Sequence, residues 1–323
     1  MSCAAPRQAL AWGATGHRLI ARAAVSALPD EIPAFLRTAE AVQSAGELAR
    51  EPDRWKDAGR AHDVDRDTAH FLDVADDGTI FGGPTLSTLP ETRVGYENAL
   101  RAVGADSWKA GWLPYSIIDG WQQLAKDFAY WRVETEAADH VADASHRAWI
   151  AADRAEREKL VLRDLGVLAH YVGDGSQPLH VTVHFNGWGL GPNPEGFTQD
   201  RVHAPFEGQF VRQGLDEAQV RAAMAPYRDC RCEIRSWTSA YLSATHAQVV
   251  PFYRLEKAGA FRSADSRGRA FAAARLGAGA SALRDLVVDA WRASASGRVG
   301  WPAIGLTEVR AGADPYDSLY GTD

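Results

Sequence analysis

Histidines and carboxylates at helical spacing are the residues of this chain best placed to do chemistry. His170 and Asp174 stand four apart, which puts an imidazole and a carboxylate on one helical face, in reach of a single metal ion. His180 follows beyond Pro178, and His203 with Glu207 repeats the four-residue step. Taken singly, such a pair is most often a hydrogen-bonded surface pair. Two of them with a third histidine between, inside about forty residues, point to a metal centre. His70, in His70-Phe71-Leu72-Asp73, is flanked by apolar residues and by itself reads as a satisfied core histidine. Asp53, in Glu51-Pro52-Asp53-Arg54-Trp55-Lys56, by itself reads as a turn or N-cap residue. In Trp12-Gly13-Ala14-Thr15-Gly16-His17 the two glycines predict a tight turn into a helix that begins at the histidine.

The elements that must position these residues read as helices. Leu19, Ile20, Ala23, Ala24 and Leu28 form one apolar stripe. Ile117, Ile118, Trp121, Leu124, Phe128 and Trp131 form another. Residues from about 137 to 171 lack Pro, and lack Gly before Gly166, so they read as one long helix with Leu160, Leu165, Leu168 and Ala169 inward. Stretches around 235–253 and 270–293 repeat the pattern. Val181-Thr182-Val183 and Thr79-Ile80-Phe81 are too short to build a sheet. The expected architecture is all-α, a single multi-helix domain over 12–303, with 1–11 a leader and 304–323 a loosely structured tail. Asn186–Gly196, with Trp188 and Phe197, reads as a surface loop, either pinned by those two aromatics or lining a substrate cleft.

Composition narrows the function. With 46% hydrophobic and 24% charged residues, the chain can bury a large core and is not a disordered protein. No apolar run reaches the ~18 residues of a membrane span, so stable membrane insertion is not expected. The 42 acidic and 35 basic residues leave a net charge of −7, against broad electrostatic capture of nucleic acid. Bound metal can reverse that sign locally. Cys3, Cys230 and Cys232 make no disulfide framework.

Trp-Gly-x-x-Gly-His at 12–17, Asp-x-x-basic at 53–56 and His-Phe-x-Asp at 70–73 are followed by His-x-x-x-Asp-x-x-x-x-x-His at 170–180 and His-x-x-x-acid at 203–207. In this order they resemble the trinuclear-zinc phosphodiesterase superfamily, comprising the single-strand-specific nucleases S-one and P-one and the zinc phospholipases C. The resemblance spans Trp12 to about Trp291, and Arg275-Leu276 looks like part of the family's C-terminal helix. It implies the helical fold of that type and three zinc ions. One zinc would be held by Asp53, His70 and His170, and a second by Trp12 and His17, with Asp174 bridging them. The third would be held by His180, His203 and Glu207. Imidazole and carboxylate donors suit zinc. Three Zn²⁺ against the carboxylates of Asp53, Asp174 and Glu207 leave the site at about plus three. A water between the bridged zincs, its pKa lowered toward ~7, would attack phosphorus in line, and the third zinc would stabilise the leaving oxygen.

The resemblance also has departures. Lys56 stands where the nucleases carry an arginine near the scissile phosphate, supplying charge without a planar two-pronged contact. Asp57 is a rival to Asp53 as ligand; the Asp-x-x-basic spacing favours Asp53. Glu207 matches the phospholipases, whereas the start at 12–17 is nuclease-like. Phe71 and Asp73 fall where the nucleases stack and hydrogen-bond a base, and His-Phe-x-Asp also occurs in the phospholipases. The expected activity is a single-strand nuclease or 3′-nucleotidase acting on single-stranded nucleic acid or nucleotides. A phospholipase C-type enzyme acting on a phospholipid head group is the alternative, and a non-catalytic helical metal-binding protein is a further one. A monomer is expected, secreted or periplasmic.

The N-terminus bears on the ligand set. Ala9-Leu10-Ala11 has the small-x-small form of a signal-peptidase site, although the hydrophobic region that precedes such sites is missing. An Ala-rich disordered leader or a truncated signal peptide both fit. In the family the mature chain begins at the tryptophan, whose amine and carbonyl oxygen bind zinc. The protein beginning at Trp12 is therefore expected to bind about three zinc ions, and the 1–323 form fewer with much lower activity, because an amide nitrogen is a poor ligand. Elemental analysis of both forms checks this; equal zinc and equal turnover would refute it.

Overall fold

A computed structural model of the chain describes residues 12–189, 191–229, 233–262 and 265–321. The leader assigned to 1–11 lies outside them, as do Cys3, Cys230 and Cys232. The described residues are mostly helical, and their one sheet pairs Arg298–Val299 with Ile304–Gly305. Val74 with Ile80 and Thr79 with Thr85 form isolated bridges only. No helix among the described residues is long and apolar enough to cross a membrane.

The first helix, Ala14–Ser26, buries Leu19, Ile20, Ala23 and Ala24. It packs against Ala39–Leu48, Ala144–Ser176 and Ser266–Ala293. Leu113–His140 buries Ile117, Leu124 and Phe128 and lies along Ala144–Ser176. Ile118 and Trp121 are half-buried against the same core. One central core thus collects the apolar stripes of the long helices.

Four expectations need correction. The helix expected over 137–171 is broken at 141–143, where Asp143 caps a new helix by accepting from the Ser145 and His146 amides at 2.7 and 3.1 Å. That helix continues past Tyr171 to Ser176. Leu160, expected inward, is 42% exposed, and Val161, about 100° further round the helix, is buried instead. The 235–253 stretch divides into Ile234–His246 and Val249–Lys257. Nor is 304–321 loosely structured. It carries helices Leu306–Arg310 and Tyr316–Tyr320, and Ile304 and Val309 join a second apolar cluster with Val299, Ala129 and Val133. The Asn186–Gly196 loop is pinned by its aromatics: Trp188 stacks on His184 at 3.8 Å, and Trp188 and Phe197 both pack on Tyr253.

One close approach sets the distance between two helices that matter for the site. A Cβ on Gly166 would lie 2.4 Å from the Leu48 Cβ and 2.9 Å from its carbonyl carbon. Only glycine lets the Ala144–Ser176 helix approach the end of Ala39–Leu48 this closely. That approach brings the Ala49 carbonyl to 2.7 Å from His170 Nδ1. Gly166→Ala should lower stability by about 1–3 kcal/mol, because the overpacking outweighs alanine's better helix propensity. It should also displace the His170 ring and so weaken any metal binding there. Urea denaturation and titration with a divalent metal read the two effects, and a variant normal in both would show that the contact relaxes at no cost.

Candidate metal centre

Each candidate ligand sits where a local feature of the chain ends or turns. His17 lies on the first turn of Ala14–Ser26, and Asp53 on the short helix Glu51–Arg54 with Pro52 beside it. His70 ends the 3-10 turn Thr68–His70, and His180 ends the turn Pro178–His180. His170 and Asp174 share a face of the last two turns of Ala144–Ser176. Glu207 lies in the π-helical turn Pro205–Phe210, four residues after His203. His17, His70, His170, Asp174, His180, His203 and Glu207 are all buried, and Asp53 is half-buried.

The structure gathers these side chains into three groups able to hold metal ions: His17, His170 and Asp174; Asp53, His70 and His170; His180, His203 and Glu207. Within each group one potential ligand atom per residue lies within 4.8 Å of the others. The first two groups share His170 and meet at Asp174. Asp174 Oδ2 is 3.0 Å from His70 Nδ1 and 3.3 Å from His170 Nε2, while Oδ1 is 3.5 Å from His17 Nε2. Those two nitrogens of His70 and His170 are 2.8 Å apart. Asp174 Oδ1 also lies 4.0 Å from His180 Nδ1, which links the first two groups to the third. There Glu207 Oε1 stands 2.8 Å from His203 Nε2 and 3.2 Å from His180 Nε2.

The donor set fits divalent metal. Ligand atoms about 2.0–2.1 Å from a tetrahedral ion stand about 3.3 Å apart, close to the spacing around Asp174. His170 Nδ1 donates to the Ala49 carbonyl and His180 Nδ1 to the His70 carbonyl, each at 2.7 Å. Each bond fixes the ring and turns its Nε2 inward as a donor to metal. His17 Nδ1 and Nε2, His70 Nε2, Asp174 Oδ1 and Glu207 Oε2 are buried without a hydrogen-bond partner among the described residues. Leaving such groups unmatched costs about 1–3 kcal/mol each, which a shared cation would offset. His17 also needs room: a Cβ on Gly173 would stand 3.1 Å from its Nδ1. Its ring stacks on that of His170 at 3.9 Å.

The charges of these groups are strongly coupled. Burial, with the neighbouring His170, pushes His17 well below the ordinary histidine range. Burial and the Lys56 charge push His70 down to about 4. Both rings are therefore neutral at pH 7 and free to ligate. Burial opposes the Asp174 charge, but the facing His170 and His180 outweigh it and hold the carboxyl well below the usual range. Burial likewise pushes His180 down, and Asp174 and Glu207 overcome it, lifting the ring to about 9. Asp53 is held low against its burial by His170 and Lys56.

Of the other candidates, Lys56 donates to Asp53 Oδ1 at 2.7 Å. Asp57 joins none of the groups; its backbone is left-handed, with φ of 67°. Trp12 is fully buried, and its indole donates to Ser176 Oγ, 3.1 Å away and two residues from Asp174. Gly13 runs against the backbone of Glu207, its Cβ position 3.2 Å from that carbonyl oxygen. Phe71 is half-buried, and Asp73 is 2% exposed. Sequence reasoning missed Gln177, a buried residue whose amide donates to Glu207 Oε1 at 2.7 Å and orients it. Its place between Asp174 and His180, just before Pro178, was the available signal. No protein-family model matches this chain, and no curated protein matches it.

Asp174→Asn should remove the charge shared by the first two groups while leaving the third whole. In protein loaded with a divalent metal, the bound metal is expected to fall to about a third, with a lower melting temperature in its presence, since metal binding is coupled to folding. A variant that keeps its full metal content would show that Asp174 is not a shared ligand.

Proposed function

We propose that this chain is a zinc-dependent phosphodiesterase that hydrolyses P–O bonds in single-stranded nucleic acid and 3′-nucleotides, with a fold of the zinc phospholipase C and nuclease P-one type. The observation that carries this reading is the meeting of His17, His70 and His170 on one buried carboxylate, Asp174, with the His180, His203 and Glu207 group beside it. Zinc is favoured because all these side chains offer imidazole nitrogen or carboxylate oxygen. Bound zinc supplies Lewis-acid charge for phosphoryl oxygens and a water acidic enough to attack at neutral pH.

The chain's own residues do the rest. Asp174 fixes the rings of His70 and His170, and Asp53 and Asp174 set the charge of the centre. Lys56, tethered to Asp53, attracts a phosphate as a point charge and leaves its orientation looser than an arginine would. Phe71, next to the ligand His70, offers a stacking face for a base. Asp73 is buried, so it accepts from a base edge only where the base itself enters beside His70. The same reading makes the protein a secreted or periplasmic monomer. A phospholipase C-type activity is the second reading, favoured by Glu207 as the last acid of the set.

Phe71→Ala separates them. For a nuclease it should raise KM for 3′-AMP roughly ten-fold, the loss of about 1–3 kcal/mol of stacking, and leave bis-p-nitrophenyl phosphate hydrolysis and zinc content nearly unchanged. A parallel loss on both substrates, together with cleavage of phosphatidylcholine by the wild type, would replace the nuclease reading with the phospholipase one.

A further inference from the structure

A cleft of about 540 Å³ is lined by Arg54, Trp55, Lys56, Asp57, Arg66 and Arg163, among others. Clefts of ~300–1,000 Å³ suit small ligands, a nucleotide among them. Its lining carries four fixed cations and one acid, Asp57, a local excess of three (4 − 1) in a chain whose net charge is −7. The cleft adjoins the metal groups, because Lys56 on its wall donates to Asp53, which shares a group with His70 and His170.

The cations differ in what already holds them. Arg54 pairs with Glu51 at 2.6 Å, and Arg163 with Asp164 at 2.6 Å. Arg66 has no carboxylate within ion-pair distance among the described residues. Its guanidinium carbon lies 5.2 Å from the centroid of the half-buried Trp55 ring, and that of Arg163 lies 5.8 Å from it. Two exposed guanidiniums gathered at one indole offer planar, two-pronged contacts to phosphate oxygens beside an aromatic surface. A phospholipid and a 3′-nucleotide each present a single diester or monoester phosphate to the metals and have no use for a second anion site. A polynucleotide strand brings the next phosphate with it.

We propose that this cleft is a second phosphate subsite, in which Arg66 and Arg163 hold the backbone phosphate next to the scissile one, with Trp55 supporting the adjoining nucleotide. The subsite rests on the phosphodiesterase reading and makes oligonucleotides better substrates than 3′-mononucleotides. The test compares zinc-loaded wild type with the Arg66→Ala, Arg163→Ala double variant. Both are assayed on a single-stranded tetranucleotide and on bis-p-nitrophenyl phosphate. Binding of a fluorescein-labelled phosphorothioate strand is followed by anisotropy over a salt series. The double variant should raise KM for the tetranucleotide roughly ten-fold and change kcat, and turnover of the one-phosphate ester, by less than about two-fold. Its slope of log K against log salt should be shallower by about 0.7, the value for one phosphate contact on a single strand. Unchanged KM and slope would overturn the subsite and leave the phosphodiesterase reading standing. Equal losses on both substrates would also overturn it, since the arginines would then serve the centre rather than a second phosphate. If neither protein hydrolyses any diester, that reading fails and with it the scissile neighbour, and the anisotropy then decides strand binding alone: weaker, shallower binding by the double variant keeps the cleft as a phosphate site, and equal binding removes it.

Discussion

The structure depends on one buried carboxylate. Asp174 is wholly enclosed and faces His17, His70, His170 and His180 at 3.0–4.0 Å. Burying a carboxylate is costly unless its charge is met, and well-packed apolar residues would fill the same space more cheaply. The rings that meet it come from four separate segments: the first helix, the 68–70 turn, the Ala144–Ser176 helix itself and the 178–180 turn. Holding those segments together is therefore what the helical packing accomplishes. Gly166 and Gly173 are two places where that requirement reaches the backbone, since a methyl group at either would push a helix or an imidazole out of line.

Around these side chains runs a set of bonds that occupies several of their remaining polar atoms. Backbone carbonyls of Ala49 and His70 take the outer protons of His170 and His180. Gln177 donates to Glu207 while its own side-chain oxygen accepts from the Leu179 amide, so the turn that carries His180 and the acid of the third group are fixed together. Ser176 joins the Trp12 indole to the Gly173 carbonyl. Metal ligands are generally held this way, because a ring free to rotate loses affinity. The atoms left over, on His17, His70, Asp174 and Glu207, all belong to the three groups.

How much of this was legible in the sequence follows from the range over which each signal acts. The His170–Asp174 and His203–Glu207 steps are visible because helical periodicity turns a spacing of four into one face. The stripes of Ala14–Ser26 and Leu113–His140 are visible for the same reason. The break at 141–143 rests on one capping aspartate inside a stretch of good helix formers, and periodicity does not register it. The packing of 304–321 rests on single apolar residues in elements of two to five residues, too short to show a period. The cleft at Trp55 was beyond reach for another reason: Arg163 comes from the Ala144–Ser176 helix, about a hundred residues from Arg66, and only the fold brings them to one indole.

On the proposed reading, charge explains how an acidic protein would take a phosphate substrate. The chain carries a net charge of −7, yet Arg54, Lys56, Arg66 and Arg163 line one cleft with Asp57 as its one acid, and a cleft walled by protein focuses its field. Lys56 sits at the junction, on the cleft wall and bonded to Asp53. A lysine already engaged by a ligand carboxylate presents less than a full charge to a phosphate, and it has no second prong with which to orient one. On the proposed reading, orientation must therefore come from elsewhere, from the metals on one side of Lys56 and the two arginines on the other. On that reading Lys56 and the guanidiniums gathered at Trp55 would divide the work, the lysine attracting the scissile phosphate and the arginines orienting its neighbour.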